Sequence, residues 1–435
     1  MKNKTLLIFL SIVMFFVGGL AGVGGLSYIT LPYNEELIET SDVYFSKSGQ
    51  SGEVSIAQGV QPAQAGAVSV HFLELGNKYT GDCTYIKIGE NIDILIDCGS
   101  KSNSIPTVSN YLNQYVTDNT LEYVIVTHAH EDHYAGFATS TKINSIFDLY
   151  ECETIITFSN TNQKTSSDYV DKQISDNQVL STLGITSYAS ASKTVSKMYA
   201  NFNRELQDEI NNGATHLTAL EVLDNYTDGK IVLDATNNIN LQVLNSYYYN
   251  NSASSDNEYS VCVMVNQGDK NFLFTGDLEK EGEEHLVAMN TFPEVELYKA
   301  GHHGSKTSSS MILLNAIKPA QYDKMIVCVC CCAGSKEYTK TQANQFPTKE
   351  FINNISQITT KVFVTTLCID YDNNEFTSFN GNIVVMAKKE DVEPSVYCSN
   401  NTIILKDSEW FKINRLEICK QEESGKQTLA QQWWT

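Results

Sequence analysis

Basic residues are scarce in this chain. Its 435 residues include 30 Lys and Arg against 51 Asp and Glu, a formal net charge of −21. Broad gripping of a nucleic-acid backbone needs clustered Lys and Arg. The charge therefore does not favour nucleic acid as a partner and leaves room only for a local basic groove. Charge of either sign is sparse, at 19%, which leaves the surface to Asn, Ser, Thr and Tyr. No internal repeat is visible, so a repeat array is not expected. Hydrophobic residues, at 42%, are enough to bury a substantial core. The length suits one large domain or two ordinary ones.

The 11 cysteines are odd in number and lack the spacing of a small disulfide framework. Four of them fall in the apolar run Met325 to Cys332. That run reads as a buried strand in which cysteine acts as a small hydrophobe. A zinc knuckle is disfavoured there, because alternate strand residues face opposite sides.

Charge is also missing from Thr5 to Asn34, a run preceded by Lys2 and Lys4. Its apolar heart approaches the roughly 20 residues that a bilayer crossing needs and exceeds a usual signal-peptide core. No small-x-small cleavage site stands out, and the first cysteine, Cys83, is too distant to take a lipid. Residues 1–34 are expected to form a transmembrane anchor, with a cleaved signal as the alternative. The lysines before the run and Glu35, Glu36 and Glu39 after it favour a body outside the cell membrane, or secreted if the segment is cleaved. An exported body with this many cysteines suggests a reducing or anaerobic habitat.

Residues 35–67 read as a linker, rich in Ser, Gly, Gln and Ala between 41 and 64. The expected folded domain covers 68–390, with an insertion at about 153–235 and a C-terminal extension over 391–435. Strands are expected at 70–75, 84–88, 92–96, 123–126, 240–244, 260–265, 271–274, 325–332, 361–364 and 382–385, and helices at 105–115 and 195–210. Strands clustered before and after helices favour an α/β (α+β) sandwich.

Histidine is scarce as well, at eight residues, yet five of them fall in two tight groups. A short buried strand ends at Thr127, and the chain then offers His128, His130, Asp132 and His133. Imidazole and carboxylate are the donors a catalytic Zn²⁺ accepts. His128 and His130 face the same way in an extended segment, whereas Asp132 and His133 lie beyond and can turn to a second ion. Asp277, in Phe274-Thr275-Gly276-Asp277, leaves an apolar strand through a glycine and is placed to bridge two cations. His302-His303-Gly304 and Asp97-Cys98-Gly99 repeat the pattern of strand, donor and glycine. Four such strand ends should meet at one edge of a sheet.

These residues resemble the metallo-β-lactamase superfamily, whose signature is His-x-His-x-Asp-His. Val70 to Gly76, Gly81-Asp82, Leu95 to Gly99, Leu273 to Glu279 and Lys299 to Ser309 are similar to the hydrolase domain of ComEC-type competence proteins. The resemblance implies an αββα sandwich, two Zn²⁺ (or Mn²⁺) and hydrolysis of a phosphodiester or related ester. It implies that His128 and His130 serve one ion, and that Asp132, His133 and one of His302 and His303 serve the other. Asp277 would bridge, and Asp97 would orient a ligand from behind. Asp132, Asp277, His302 and His303 are the implied catalytic group, and Ser305, Lys306 and Ser308 are candidates for phosphate contact or for capping the next helix. Two features depart from the pattern. The interval before Asp277 offers only His216, which is read as structural, and Gln345-Phe346-Pro347 stands where a late Gly-His-Pro is expected. Residues 1–34 are the one candidate span in this sequence, so the resemblance carries no expectation of a multi-span channel or of DNA import. An envelope-ester hydrolase (phosphorylcholine esterase-like), a lactamase and a metal-binding protein without turnover are the rival readings.

Overall fold

In the computed structural model, described for residues 55–60, 64–138, 144–163, 197–421 and 429–434, the strands form two sheets of eight. In chain order they are β1 Val68–Phe72, β2 Thr84–Ile88, β3 Ile92–Ile96, β4 Thr120–Val126, β5 Glu151–Thr157, β6 Thr215–Thr218, β7 Lys230–Asp234 and β8 Ile239–Val243. They continue as β9 Val263–Gln267, β10 Lys270–Phe274, β11 Leu297–Lys299, β12 Ile326–Ala333, β13 Val362–Asp370, β14 Glu375–Ser378, β15 Ile383–Ala387 and β16 Ser395–Cys398. One sheet runs β16-β15-β1-β2-β3-β4-β5-β6, and the other runs β14-β13-β12-β11-β10-β9-β8-β7.

Alternation along the strands makes the layers. On β12, Cys328 and Cys330 enter the core that holds Phe72, Val124 and Phe274. Val327, Val329 and Cys331 enter a second core with Leu313, Phe351 and Ile355. Every residue of β12 is buried, as expected for a strand covered on both faces. Its cysteines are free thiols used as small apolar groups, like the other cysteines of the chain. Helices Lys280–Met289, Met311–Ile317 and Lys349–Ser356 cover the outside of this sheet. Helices Ile105–Leu112 and Lys197–Asn212 pack against the first. The result is a mixed α/β sandwich of the αββα kind.

Several boundaries differ from expectation. Residues 260–262 do not join β9. They leave the sheet so that the Val261 N–H donates to the Thr127 carbonyl at 2.9 Å, which ties the β8–β9 connection to the end of β4. The segment read as an insertion supplies β5 and β6 to one sheet and β7 to the other, and its residues 164–196 lie outside the described part. These strands were illegible because they sit at or near sheet edges and alternate polar with apolar residues. The C-terminal extension is part of the body. β16 pairs with β15, and Phe411, Cys419, Leu429 and Trp433 are buried in the second core. The end of the expected linker also packs on the body, with Ala57 buried and the Ser55 carbonyl accepting from Asn382 at 2.7 Å. The expected membrane segment, 1–34, falls outside the described residues. Among those described, no helix is long and apolar enough to cross a membrane.

Topology creates the site. β3, β4 and β5 are parallel to one another, and so are β10, β11 and β12. The carboxyl ends of β3, β4, β10 and β11 therefore deliver Asp97, His128, Asp277 and His302 to one edge of the sandwich. β2 runs antiparallel to β3, so its start, preceded by Asp82, reaches the same edge.

Candidate metal centre

Asp97 follows β3 directly and adopts a positive φ of 57°. One carboxylate oxygen accepts from the Thr127 N–H and the other from the Thr127 hydroxyl, both at 2.7 Å. The second oxygen also pairs with His133 Nδ1 at 2.7 Å. With its rear nitrogen held, His133 presents Nε2 to Asp277 Oδ2 at 3.2 Å.

His303 is built the same way. Its Nδ1 faces Asp82 Oδ1 at 3.1 Å and the Cys330 carbonyl at 3.0 Å. Its Nε2 lies 3.4 Å from Asp132 Oδ2 and 3.3 Å from Asp277 Oδ2. Asp82 in turn forms a buried ion pair with Lys299. Asp82, His133, Asp277 and His303 each offer a donor atom within 4.8 Å of the others. Asp82, however, stands on the Nδ1 side of both rings, so it supports the imidazoles rather than sharing their front.

His128 Nε2 and His130 Nδ1 converge at 3.0 Å. Burial first, then the neighbouring His133 and His130, holds the His128 imidazole well below its ordinary pKa, which keeps its lone pair free for a cation. Burial alone would raise the carboxyls of Asp132 and Asp277, but imidazoles outweigh it and push both down. His303 and His133 act on Asp132, and His133, His303 and His302 act on Asp277. Both carboxylates are therefore ionised acceptors.

His302 sits apart. The turn Gly301–Gly304 holds both histidines at positive φ, 47° and 54°, which splays the rings. His302 Nδ1 contacts the Thr307 hydroxyl at 2.9 Å, and its Nε2 stays 3.7 Å from Asp277 Oδ2. Beyond Thr307 and Glu279 opens a cavity of about 700 Å³, lined also by Lys280, Lys306, Lys349 and Glu350. Of the three residues read as substrate contacts, Lys306 lines this cavity. Ser305 is tied to Thr307, and the Ser308 hydroxyl is buried and donates to the Leu278 carbonyl at 2.7 Å. His216 lies within β6 with Nε2 2.8 Å from the Thr157 hydroxyl, and it belongs to no metal-sized donor group among the described residues.

The buried atoms without a hydrogen-bond partner include His133 Nε2, His303 Nε2, Asp277 Oδ1 and Asp82 Oδ2, the last of them ion-paired with Lys299. Buried polar atoms are normally paired. Zinc bonds of about 2.0–2.1 Å in a tetrahedron place its ligands roughly 3.3 Å apart, and the front-side separations here are 3.2, 3.3 and 3.4 Å. The donor set fits a metal ion.

Residues 76–145 match the family model described as the Metallo-beta-lactamase superfamily. That stretch is similar to the metallo-β-lactamase superfamily. The chain is similar to Recombination protein 2 of Haemophilus influenzae, 37% identical over 65 residues. It is 38% identical over 68 residues to ComE operon protein 3 of Bacillus subtilis. It is 45% identical over 67 residues to Competence protein ComA of Neisseria gonorrhoeae. Each match covers 15% of this chain and 8%, 8% and 9% of those proteins, so the chain matches under a tenth of their length. A solved structure, the metallo-beta-lactamase fold protein YhfI from Bacillus subtilis, aligns over 71% of this chain and 90% of its own, at 11% identity and a TM-score of 0.30.

Sequence reasoning gave no role to Asp82, Lys299 or Tyr338. Asp82 was visible as Gly81-Asp82 at the start of a strand. Lys299 was visible as a lone cation in the apolar stretch before Gly301.

Proposed function

We propose that this protein is a zinc-dependent phosphodiesterase. The observation that carries the reading is the convergence of His133 Nε2 and His303 Nε2 on Asp277 Oδ2, at 3.2 and 3.3 Å, with both nitrogens buried and without a hydrogen-bond partner. His128 and His130 would hold one ion, and Asp132, His133 and His303 the other, with Asp277 between them. His303 is preferred to His302 because its Nε2 faces both Asp132 and Asp277. When bound, such ions supply Lewis acidity and a nucleophile at neutral pH, since they lower the pKa of water to about 7.

The chain's own groups do the rest. Asp97 and Asp82 hold the rear nitrogens of His133 and His303, which fixes tautomer and ring angle. His302 and Lys306 lie on the cavity side, where a phosphoryl oxygen needs positive charge or a donor. Full-length protein should take up close to two zinc equivalents and cleave bis-(4-nitrophenyl) phosphate, with loss on chelation and return on zinc addition. A panel with a phosphorylcholine ester and nitrocefin separates the envelope-ester and lactam readings. Zinc uptake with no turnover on any substrate would leave a metal-binding protein, and no zinc uptake would sink the proposal.

The body is proposed to lie outside the cell membrane, anchored by residues 1–34, because Lys2 and Lys4 precede the apolar run and acids follow it. Protease added to intact spheroplasts should digest the body, whereas full protection would reverse the topology.

A further inference from the structure

We propose that Tyr338 is a catalytic hydrogen-bond donor of this site, its phenol hydroxyl serving the leaving-group oxygen of the bound ester. The inference rests on the hydrolase reading above. The centre is closed on one side: the side chains of His303 and Asp277 are 1% and 2% exposed. It opens at Asp132, whose side chain is 18% exposed. The His302 side, 21% exposed, faces the cavity beyond Thr307, which leaves the Asp132 opening as a route for the departing group.

Tyr338 stands there. The residue is 59% exposed, yet its hydroxyl reaches inward to Asp132 Oδ2 at 3.1 Å. A tyrosine at a rim is ordinarily a surface residue with a wandering ring. This one is pinned. Its ring packs against Phe346 at 5.4 Å, and Phe346 packs in turn against His302 and His303 at 6.0 and 5.9 Å. The Glu337 carboxylate accepts from the Thr80 N–H at 2.8 Å, and the Gly334 N–H donates to the Phe346 carbonyl at 2.8 Å. The Phe346 side chain carries no polar hydrogen, and the hydroxyl beside it supplies a donor on this wall.

During hydrolysis the oxygen of the attacking water bonds to phosphorus while the P–OR bond breaks, and the electron pair leaves on the RO oxygen. That oxygen takes a proton and departs as the alcohol, and the proton shed by the water balances it. The Tyr338 hydroxyl turns from Asp132 to the RO oxygen while charge grows there. Its help scales with that charge, so it matters most for poor leaving groups.

The test is Tyr338→Phe in the zinc-loaded full chain, assayed on aryl phosphodiesters whose leaving phenols run from 4-nitrophenol to unsubstituted phenol. Phenylalanine keeps the ring on Phe346, so zinc content and thermal midpoint should match wild type. Turnover of the phenol ester should fall about 100-fold, and that of the 4-nitrophenol ester by less than about 3-fold. An equal loss across the series, or none, overturns the assignment while the hydrolase reading stands. A wild type that binds zinc and cleaves no member of the series overturns both. Zinc lost from Tyr338→Phe would make the hydroxyl a support for Asp132 and also overturn it.

Discussion

Asp277→Asn should abolish most turnover and most bound zinc together. One oxygen of this carboxylate lies 3.2 Å from His133 Nε2, 3.3 Å from His303 Nε2 and 3.7 Å from His302 Nε2. Its other oxygen is buried without a partner. Asparagine matches the size but removes the charge that offsets two dications, and it places an amide NH₂ where only an acceptor fits. Losing a group that supports a ligand from behind typically costs about 10- to 100-fold. Asp82→Asn, which touches His303 only at Nδ1, should fall in that range. Asp277→Asn should cost more, about 1,000-fold. His216→Ala should stay within about 2-fold, the size of an ordinary surface effect of about 0.5 kcal/mol. The comparison needs zinc content by elemental analysis and kcat/KM on one diester for the four proteins. Equal values for wild type and Asp277→Asn would end the two-metal reading. Collapse of His216→Ala with its fold intact would make His216 a ligand.

The strand ends carrying Asp97, His128, Asp277 and His302 were legible because each is a short apolar run that ends at a carboxylate or imidazole donor. Parallel neighbours then bring such ends to one edge. The choice between His302 and His303 was not legible. It depends on two consecutive residues at positive φ in Gly301–Gly304, a backbone geometry that a His-His pair does not announce. Asp82 was obscured for a different reason. It precedes its strand instead of following it, and it reaches the site only because β2 runs antiparallel to β3. Tyr338 comes from the loop after β12, with no strand-end pattern to mark it. The edge strands β6 and β7 were hidden by half-polar sequences. The role of residues 391–435 was hidden because one short strand and a few buried aromatics give little periodic signal.

The second large effect lies in a glycine that carries no chemistry. A Cβ on Gly99 would stand 1.6 Å from the Asp132 carbonyl oxygen and 2.1 Å from its carbon. These are backbone atoms with no rotamer to retreat into. The surrounding peptide groups are tied on every side. The Gly99 N–H donates to the Asp82 carbonyl at 2.8 Å, the Asp82 N–H to the Asp132 carbonyl at 3.1 Å, and the Cys98 N–H to the His133 carbonyl at 2.7 Å. Asp82, Asp97, Asp132 and His133 are thus placed by one small backbone knot that closes only around a hydrogen at position 99. Overpacking by a flexible side chain costs about 1–3 kcal/mol. Gly99→Ala should cost at least about 3 kcal/mol, because the knot itself must open, and zinc binding should go with it. Gly268→Ala is the matched control. Its φ is +60° with nothing within 4 Å of the added carbon, so it should bear only the left-handed strain of about 1–2 kcal/mol and keep its zinc. Denaturant midpoints and zinc content of the two full-length variants decide the matter. If Gly99→Ala proves as stable and as fully metallated as Gly268→Ala, the close approach of Gly99 to Asp132 does not hold the centre together.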